Sequence, residues 1–354
     1  MIKKREKKKF KRRNLKFQNV NIDNIESFDD EEIVEEKRAT KKIVEQSETS
    51  QKSNLQLKKG RIIEVKTNHI CVVNVDNEIL ECTLSGRLKQ LDFETRRLAA
   101  VGDYVNVDFS TIPRIEEILP RQNLLSRFSE ENFQKEVILA SNVDQVVITT
   151  SVKEPEINLS LLDRYICTAR ISEIEPIICV NKIDLAEDKK ELKKQLKFYS
   201  KNDIKIVFTS TISGSGMSNL KKLLKNKNSV FSGHSGTGKS SLINLLQPNL
   251  NLNVSDVSDF TGKGMHTTTS ARLIEWDFGG YLVDTPGIKT FGLHREEKSR
   301  ISRIFPGFDK LSDDCQFMDC SHDHEIDCAV KIAVEKNEFP EERYQSYLRI
   351  KDSL

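Results

Sequence analysis

Three short stretches of this chain carry residue types at spacings suited to handling a nucleotide. Gly233 to Ser241 reads GHSGTGKSS, and Gly233 to Ser240 fit the pattern G-x-x-x-x-G-K-S completely. Glycines let a backbone wrap close to phosphates, and successive amide N–H groups at the start of a helix form an anion nest. In that arrangement His234, Ser235, Gly236, Thr237 and Gly238 line the nest, and Lys239 reaches the β- and γ-phosphates. The Ser240 hydroxyl holds Mg2+, and Ser241 follows it into the helix. The second stretch, YLVDTPGIKTF from Tyr281 to Phe291, is an apolar run ending in Asp284, whose carboxylate suits the water shell of Mg2+. Three residues on, the Gly287 amide is placed to report the γ-phosphate. The third, NKID from Asn181 to Asp184, addresses the base. The Asp184 carboxylate accepts two hydrogen bonds from the N1 and N2 edge of guanine, a donor pair that adenine lacks. Asn181 helps hold the base, the Lys182 stem covers its face, and Ser210 and Thr211 lie in the TST run beyond the next strand. Together the three stretches favour GTP over ATP.

A second constellation lies near the C-terminus. Cys315, Cys320, His322 and Cys328 form C-x4-C-x-H-x5-C, a Cys3His set suited to tetrahedral zinc. Four protein ligands close the shell, which makes such a site structural. His324 is an alternative to His322. The other cysteines, Cys71, Cys82, Cys167 and Cys179, stand in apolar runs and read as core.

These groups need elements to hold them. From Val143 onward the chain alternates strand and helix: VDQVVITTS, LSLLDRYICTARIS, IEPIICVNKID, EDKKELKKQLKFYS, DIKIVFTS, MSNLKKLLK, NSVFSG and KSSLINLLQ. That rhythm predicts a mostly parallel sheet with helices on both faces, binding its ligand at the carboxyl ends of the strands. Between Lys59 and Leu119 five short β-branched runs predict a small barrel, of OB or SH3-like type. After the metal cluster, AVKIAVEKNEFPEERYQSYLRI reads as helix, proline-marked break, helix.

The 354 residues suffice for two or three domains. No run is long and apolar enough for a bilayer span, and the basic start lacks the apolar stretch of a signal peptide. This predicts a cytoplasmic protein with no membrane partner, in which seven cysteines are thiols or metal ligands. The net charge of +2 conceals a basic run from Lys3 to Arg13 followed by an acidic one from Asp29 to Glu36. Residues 1–57 therefore read as a disordered charged arm, either solvated or gripping nucleic-acid phosphates.

One feature of order stands out. In ordinary P-loop GTPases the phosphate loop comes first and N-K-x-D near the end; here N-K-I-D precedes the loop. The motifs resemble those of a circularly permuted GTPase. With GKGMHTTTSARL (Gly262 to Leu273), SNVDQVVI, LLDRYICTAR and DTPGIKTFGL, the chain resembles the small-ribosomal-subunit biogenesis GTPases of the RsgA/YjeQ family. The resemblance runs from about Gly60 to the C-terminus. It implies an α/β circularly permuted P-loop GTPase domain over 123–298. An N-terminal OB-type barrel over 58–122 and a C-terminal zinc-binding α-helical domain over 299–354 flank it. It further implies a monomer that binds the small ribosomal subunit and its rRNA, hydrolyses GTP to GDP to assist late maturation, and leaves on hydrolysis. A GTP-gated rRNA-binding module whose hydrolysis is incidental is the alternative. In MHTTTS, Thr267 or Thr268 completes the Mg2+ shell. Ile288 stands where a Gln would orient the attacking water, so His266, ordered by the subunit, is the candidate for that task.

Overall fold

The computed structural model describes residues 56–66, 70–95, 98–110, 112–128, 136–250, 271–284, 293 and 297–354. Residues 1–55 of the charged arm, His266, Thr267, Thr268 and Gly287 lie outside the described residues.

The parallel sheet is built on β8 (Gln145–Ser151), β9 (Glu175–Asn181), β10 (Lys205–Phe208), β11 (Lys227–Ser232) and β13 (Gly280–Asp284). Their spatial order is β10-β9-β8-β11-β13, and β12 (Arg272–Glu275) joins β13 antiparallel at the edge. Every residue of β8 is buried, as expected of a strand covered on both faces. Alternation sorts the side chains between two cores. Val146, Ile148, Ile178 and Val180 pack with α2 (Leu159–Ile171) and with the helical pair α3 (Lys189–Gln195) and α4 (Lys197–Lys201). Val147, Ile177, Cys179 and Val207 meet α5 (Met217–Leu224) and α6 (Lys239–Leu246) on the other side. The amphipathic run after N-K-I-D is thus two short helices rather than one, joined at the buried Leu196.

α5 ends at Leu224 and β11 begins at Lys227, so the permuted chain passes directly from one to the next. The strand carrying the phosphate loop is late in sequence yet central in space, between β8 and β13.

Toward the N-terminus β1 (Leu57–Val65), β2 (Ile70–Val75), β3 (Glu78–Leu84), β4 (Tyr104–Asp108) and β5 (Arg114–Ile118) follow the order β1-β2-β3-β5-β4. The β1–β4 pairing closes them into a five-stranded barrel, and α1 (Gly86–Thr95) lies between β3 and β4. Closure removes the exposed edges that a five-stranded sheet otherwise presents. Cys71 and Cys82 sit in the barrel core, Cys179 in a core beside the sheet, and Cys167 in the core that α2 shares with the C-terminal segment, all buried as expected.

The barrel and sheet are continuous through β1 and β12, registered at Glu64 and Arg272. Arg61 reinforces this seam. Its guanidinium lies between the rings of Tyr104 and Tyr281, 5.1 and 4.8 Å from their centroids, and donates to Asn228 Oδ1 on β11 at 2.9 Å. A hairpin of β6 (Leu124–Phe128) and β7 (Glu136–Ser141) leads from the barrel into β8. The C-terminal segment carries α7 (Lys298–Ile304), α8 (Ala329–Glu335) and α9 (Glu341–Asp352) around a core of Phe305, Phe308, Tyr347 and Ile350.

Candidate functional site: a nucleotide cleft and a metal cluster

β11 ends at Ser232, and the phosphate loop turns on three glycines that no other residue replaces without strain. Gly233 has φ +135°, and a Cβ there would lie 2.1 Å from the Thr149 carbonyl oxygen on β8. Gly236 and Gly238 have φ of +80° and +89°. The loop closes on itself: the Lys239 ammonium donates to the carbonyls of Gly233 at 2.9 Å and His234 at 2.8 Å. The Thr237 hydroxyl donates to the His234 carbonyl at 2.9 Å. His234, Ser235 and Gly236 are exposed at the rim, Thr237 and Ser240 are buried, and Ser241 is half-buried. A positive charge cradled by a glycine loop at the start of α6 fits a polyphosphate carrying Mg2+.

The N-K-I-D tetrapeptide meets this loop directly. Asn181, the last residue of β9, is fully buried, and its Nδ2 donates to the Thr237 carbonyl at 2.9 Å. Thr209 donates to Asn181 Oδ1 at 3.2 Å from the end of β10. The approach is tight enough that a Cβ on Gly238 would lie 2.4 Å from Asn181 Nδ2. Lys182 turns the chain with φ +58° and donates to the Glu154 carbonyl at 2.5 Å. Asp184 is exposed, and the buried Ser210 hydroxyl orients it, donating to Oδ1 at 2.5 Å. The Ser213 N–H in turn donates to Ser210 Oγ at 3.1 Å. Thr211 is half-buried just beyond. Asn181 is therefore a clamp between base loop and phosphate loop, with Asp184 the group free to face a base.

Asp284 ends β13 beside the loop and pairs with Arg272 Nε on β12 at 3.1 Å, the two being register partners. The sequence reading did not single out Arg272. The tight turn at Asp277 to Gly279 sets that register, so hairpin pairing is the signal that points to it.

The second centre gathers Cys315, Cys320, His322 and Cys328, whose ligand atoms all lie within 4.8 Å of one another. The His322 Nδ1 stands 3.3 Å from Cys328 Sγ and 3.6 Å from Cys315 Sγ. Tetrahedral zinc with Zn–S near 2.3 Å places neighbouring ligand atoms about 3.5–3.8 Å apart, so the set fits such an ion. Its outer partners fit as well. The His322 Nε2 lies 3.1 Å from the Ser302 carbonyl, a proton acceptor that leaves Nδ1 as the ligand nitrogen. Burial pushes the Cys320 thiol up to about 12 and draws His322 below its usual range. Burial thereby favours the neutral imidazole, the form that ligates a metal. The exposed His324 is outside the cluster.

A family model described as RsgA GTPase matches residues 118–294. The chain is 37% identical over 287 residues to the Small ribosomal subunit biogenesis GTPase RsgA of Flavobacterium psychrophilum, covering 79% of this chain and 88% of that one. It is 38% identical over 280 residues to the protein of the same name from Caldanaerobacter subterraneus, covering 78% and 90%. Among solved structures, YjeQ from Thermotoga maritima is similar with a TM-score of 0.67 at 33% identity, covering 84% of this chain and 98% of that one. YloQ, described as a circularly permuted GTPase, gives 0.66 at 27%, covering 86% and 99%. The fold is that of a circularly permuted GTPase, with a closed five-stranded barrel and a Cys3His cluster.

Proposed function

The chain belongs to the RsgA GTPase family and is a GTP hydrolase, and on that premise we propose that it acts on the small ribosomal subunit. It binds the immature or newly made subunit in the GTP state, assists late maturation, and leaves on hydrolysis in the cytoplasm. The observation that carries the nucleotide half of this reading is the Asn181–Thr237 hydrogen bond, which makes one cleft of motifs that chain order separates. The names of the relatives supply the ribosomal half.

In this cleft Asp184 reads guanine, and Lys182 covers the base. The amides of the Gly233–Gly238 loop and Lys239 hold the phosphates; Ser240, Asp284 and Thr267 or Thr268 would hold Mg2+, and Gly287 would sense the γ-phosphate. Mg2+ supplies charge neutralisation of the β- and γ-phosphates. For nucleotide to enter, Lys239 must exchange its loop carbonyls for phosphate oxygens, and Asp284 must loosen from Arg272. His266, ordered by the subunit, orients the attacking water, so unassisted turnover is slow. Undiminished subunit-stimulated turnover in His266→Ala overturns that role.

The barrel order β1-β2-β3-β5-β4, with a helix between β3 and β4, supports the OB reading, and such a barrel suits rRNA phosphates and shape. The Cys3His set supports one structural zinc. Among the described residues no helix is long and apolar enough to cross a membrane. The test is GTP turnover by the monomeric chain alone, with small subunits, and with large subunits, at two salt concentrations. Stimulation by small subunits alone, weakened by salt, is expected; its absence removes the ribosomal half.

A further inference from the structure

The helix that backs the phosphate loop is held from its far side by the C-terminal segment. Asp163 on α2 is fully buried and Arg343 on α9 nearly so. The Arg343 Nη1 donates to Asp163 Oδ2 at 2.6 Å and to the Tyr199 hydroxyl oxygen at 3.2 Å. Tyr199 donates to Asp163 Oδ1 at 2.8 Å. Further bonds run along the helix: Arg164 to Ser353 Oγ at 2.8 Å, Arg349 to Ser160 Oγ at 2.9 Å, and Arg170 to the Ile304 carbonyl at 2.8 Å.

The opposite face of α2 packs into the sheet core through Leu162, Ile166 and Ala169. Tyr165, two residues beyond Asp163, lines a cavity of about 150 Å³ together with Leu162, His234 and Thr237. Burial raises the Tyr165 hydroxyl above its usual range, and the nearby Ser232 hydroxyl offsets part of that rise. Ser232 is the residue immediately before Gly233. Interiors close-pack wherever two surfaces determine each other's position. With a cavity between Tyr165 and the loop, α2 takes its position from the sheet core and from the C-terminal ion pair, and Tyr165 brings that position to the loop.

We propose that Arg343 is a positioning residue for nucleotide binding, acting through Asp163, α2 and Tyr165 on the base of the phosphate loop. This route is separate from the chain segment that links Asp284 to the C-terminal helices. It rests on the reading of Gly233–Ser240 as the nucleotide site.

The experiment is a double-mutant cycle on the full chain, read by titration with a fluorescent GDP. Asp163→Leu with Arg343→Met removes both charges together, so neither is left buried and unpaired. The pair and Tyr165→Phe each weaken GDP binding about fivefold, a coupling at the low end of the usual range. Combined, they weaken it no more than either does alone, while the effect of the pair on melting temperature persists in the Tyr165→Phe background. A purely structural role shifts melting without that non-additivity. Wild-type GDP affinity in the pair variant, or effects that multiply, overturns the route.

Should the pair variant fail to fold, hydrogen exchange at α9 gives the reciprocal reading. GDP slows exchange there in the wild type and not in Tyr165→Phe; equal protection in both overturns the proposal. Lys239→Ala is the control for the premise. Its loss of GDP binding is expected, and retained binding overturns the site reading along with the route that rests on it.

Discussion

At the scale of single residues, Asp184 and Asn181 are placed differently in the cleft. Asp184 is exposed and oriented by Ser210, whereas Asn181 is spent on the Thr237 carbonyl. Replacing Asp184 by Asn turns one acceptor into a donor facing the guanine donors, and hydrogen bonds to a charged group are worth about 1.5–3 kcal/mol. Asp184→Asn should therefore cut the ratio of GTP to ATP affinity at least about tenfold, as measured by nucleotide competition. Gly238→Ala tests the clamp. With φ +89° and Asn181 Nδ2 2.4 Å from the new Cβ, it should cost about 1–3 kcal/mol in strain and weaken GTP and GDP alike. Unchanged affinity would show that the clamp does not shape the cleft. The sequence made the chemical types of these residues plain, because phosphate, base and metal each demand a particular group at a particular spacing. It did not disclose that Asn181 also bonds the phosphate loop. That depends on how closely the loops beyond β9 and β11 approach across the end of β8, which no local pattern records.

At the scale of elements, strand and helix positions followed from period and β-branching, since β8 and β9 are buried on both faces and read as continuous apolar runs. What local pattern missed were α1 and the break at Leu196, because a helix of mixed polarity and a one-residue interruption leave little periodic trace. Equally hidden was the Asp163–Arg343 pair, since its members stand 180 residues apart and each looks like an ordinary surface charge. Its burial sets an expectation for stability. Arg343→Met alone leaves a carboxylate without its cation and should destabilise by about 3–5 kcal/mol. The paired Asp163→Leu, Arg343→Met variant should recover most of that loss. Thermal unfolding monitored by circular dichroism distinguishes the two; equal melting temperatures would show that the single charge finds another partner.

At the scale of the whole molecule, the described residues from the barrel to α9 form one connected path. The barrel joins the GTPase sheet through β1 and β12, and α2 joins that sheet to the C-terminal helices. The metal cluster stands at the far end of this path, where it ties the loops before α8 to Ser302 on α7, while Tyr344 and Tyr347 of α9 donate to the carbonyls of His322 and Ser321. The C-terminal segment is short, and a metal held by the Cys3His set would add to the stability that its apolar core of Phe305, Phe308, Tyr347 and Ile350 supplies. Removing zinc with a chelator, or replacing Cys320 with Ser, should therefore melt the C-terminal helices first and release α2 from Arg343. The loss of helical signal should be accompanied by weakened GDP binding, although no metal ligand lies in the cleft. Re-addition of zinc should restore both in the chelated wild type but not in Cys320→Ser. If helicity falls and GDP affinity does not, the metal supports only its own segment and the path stops at α9.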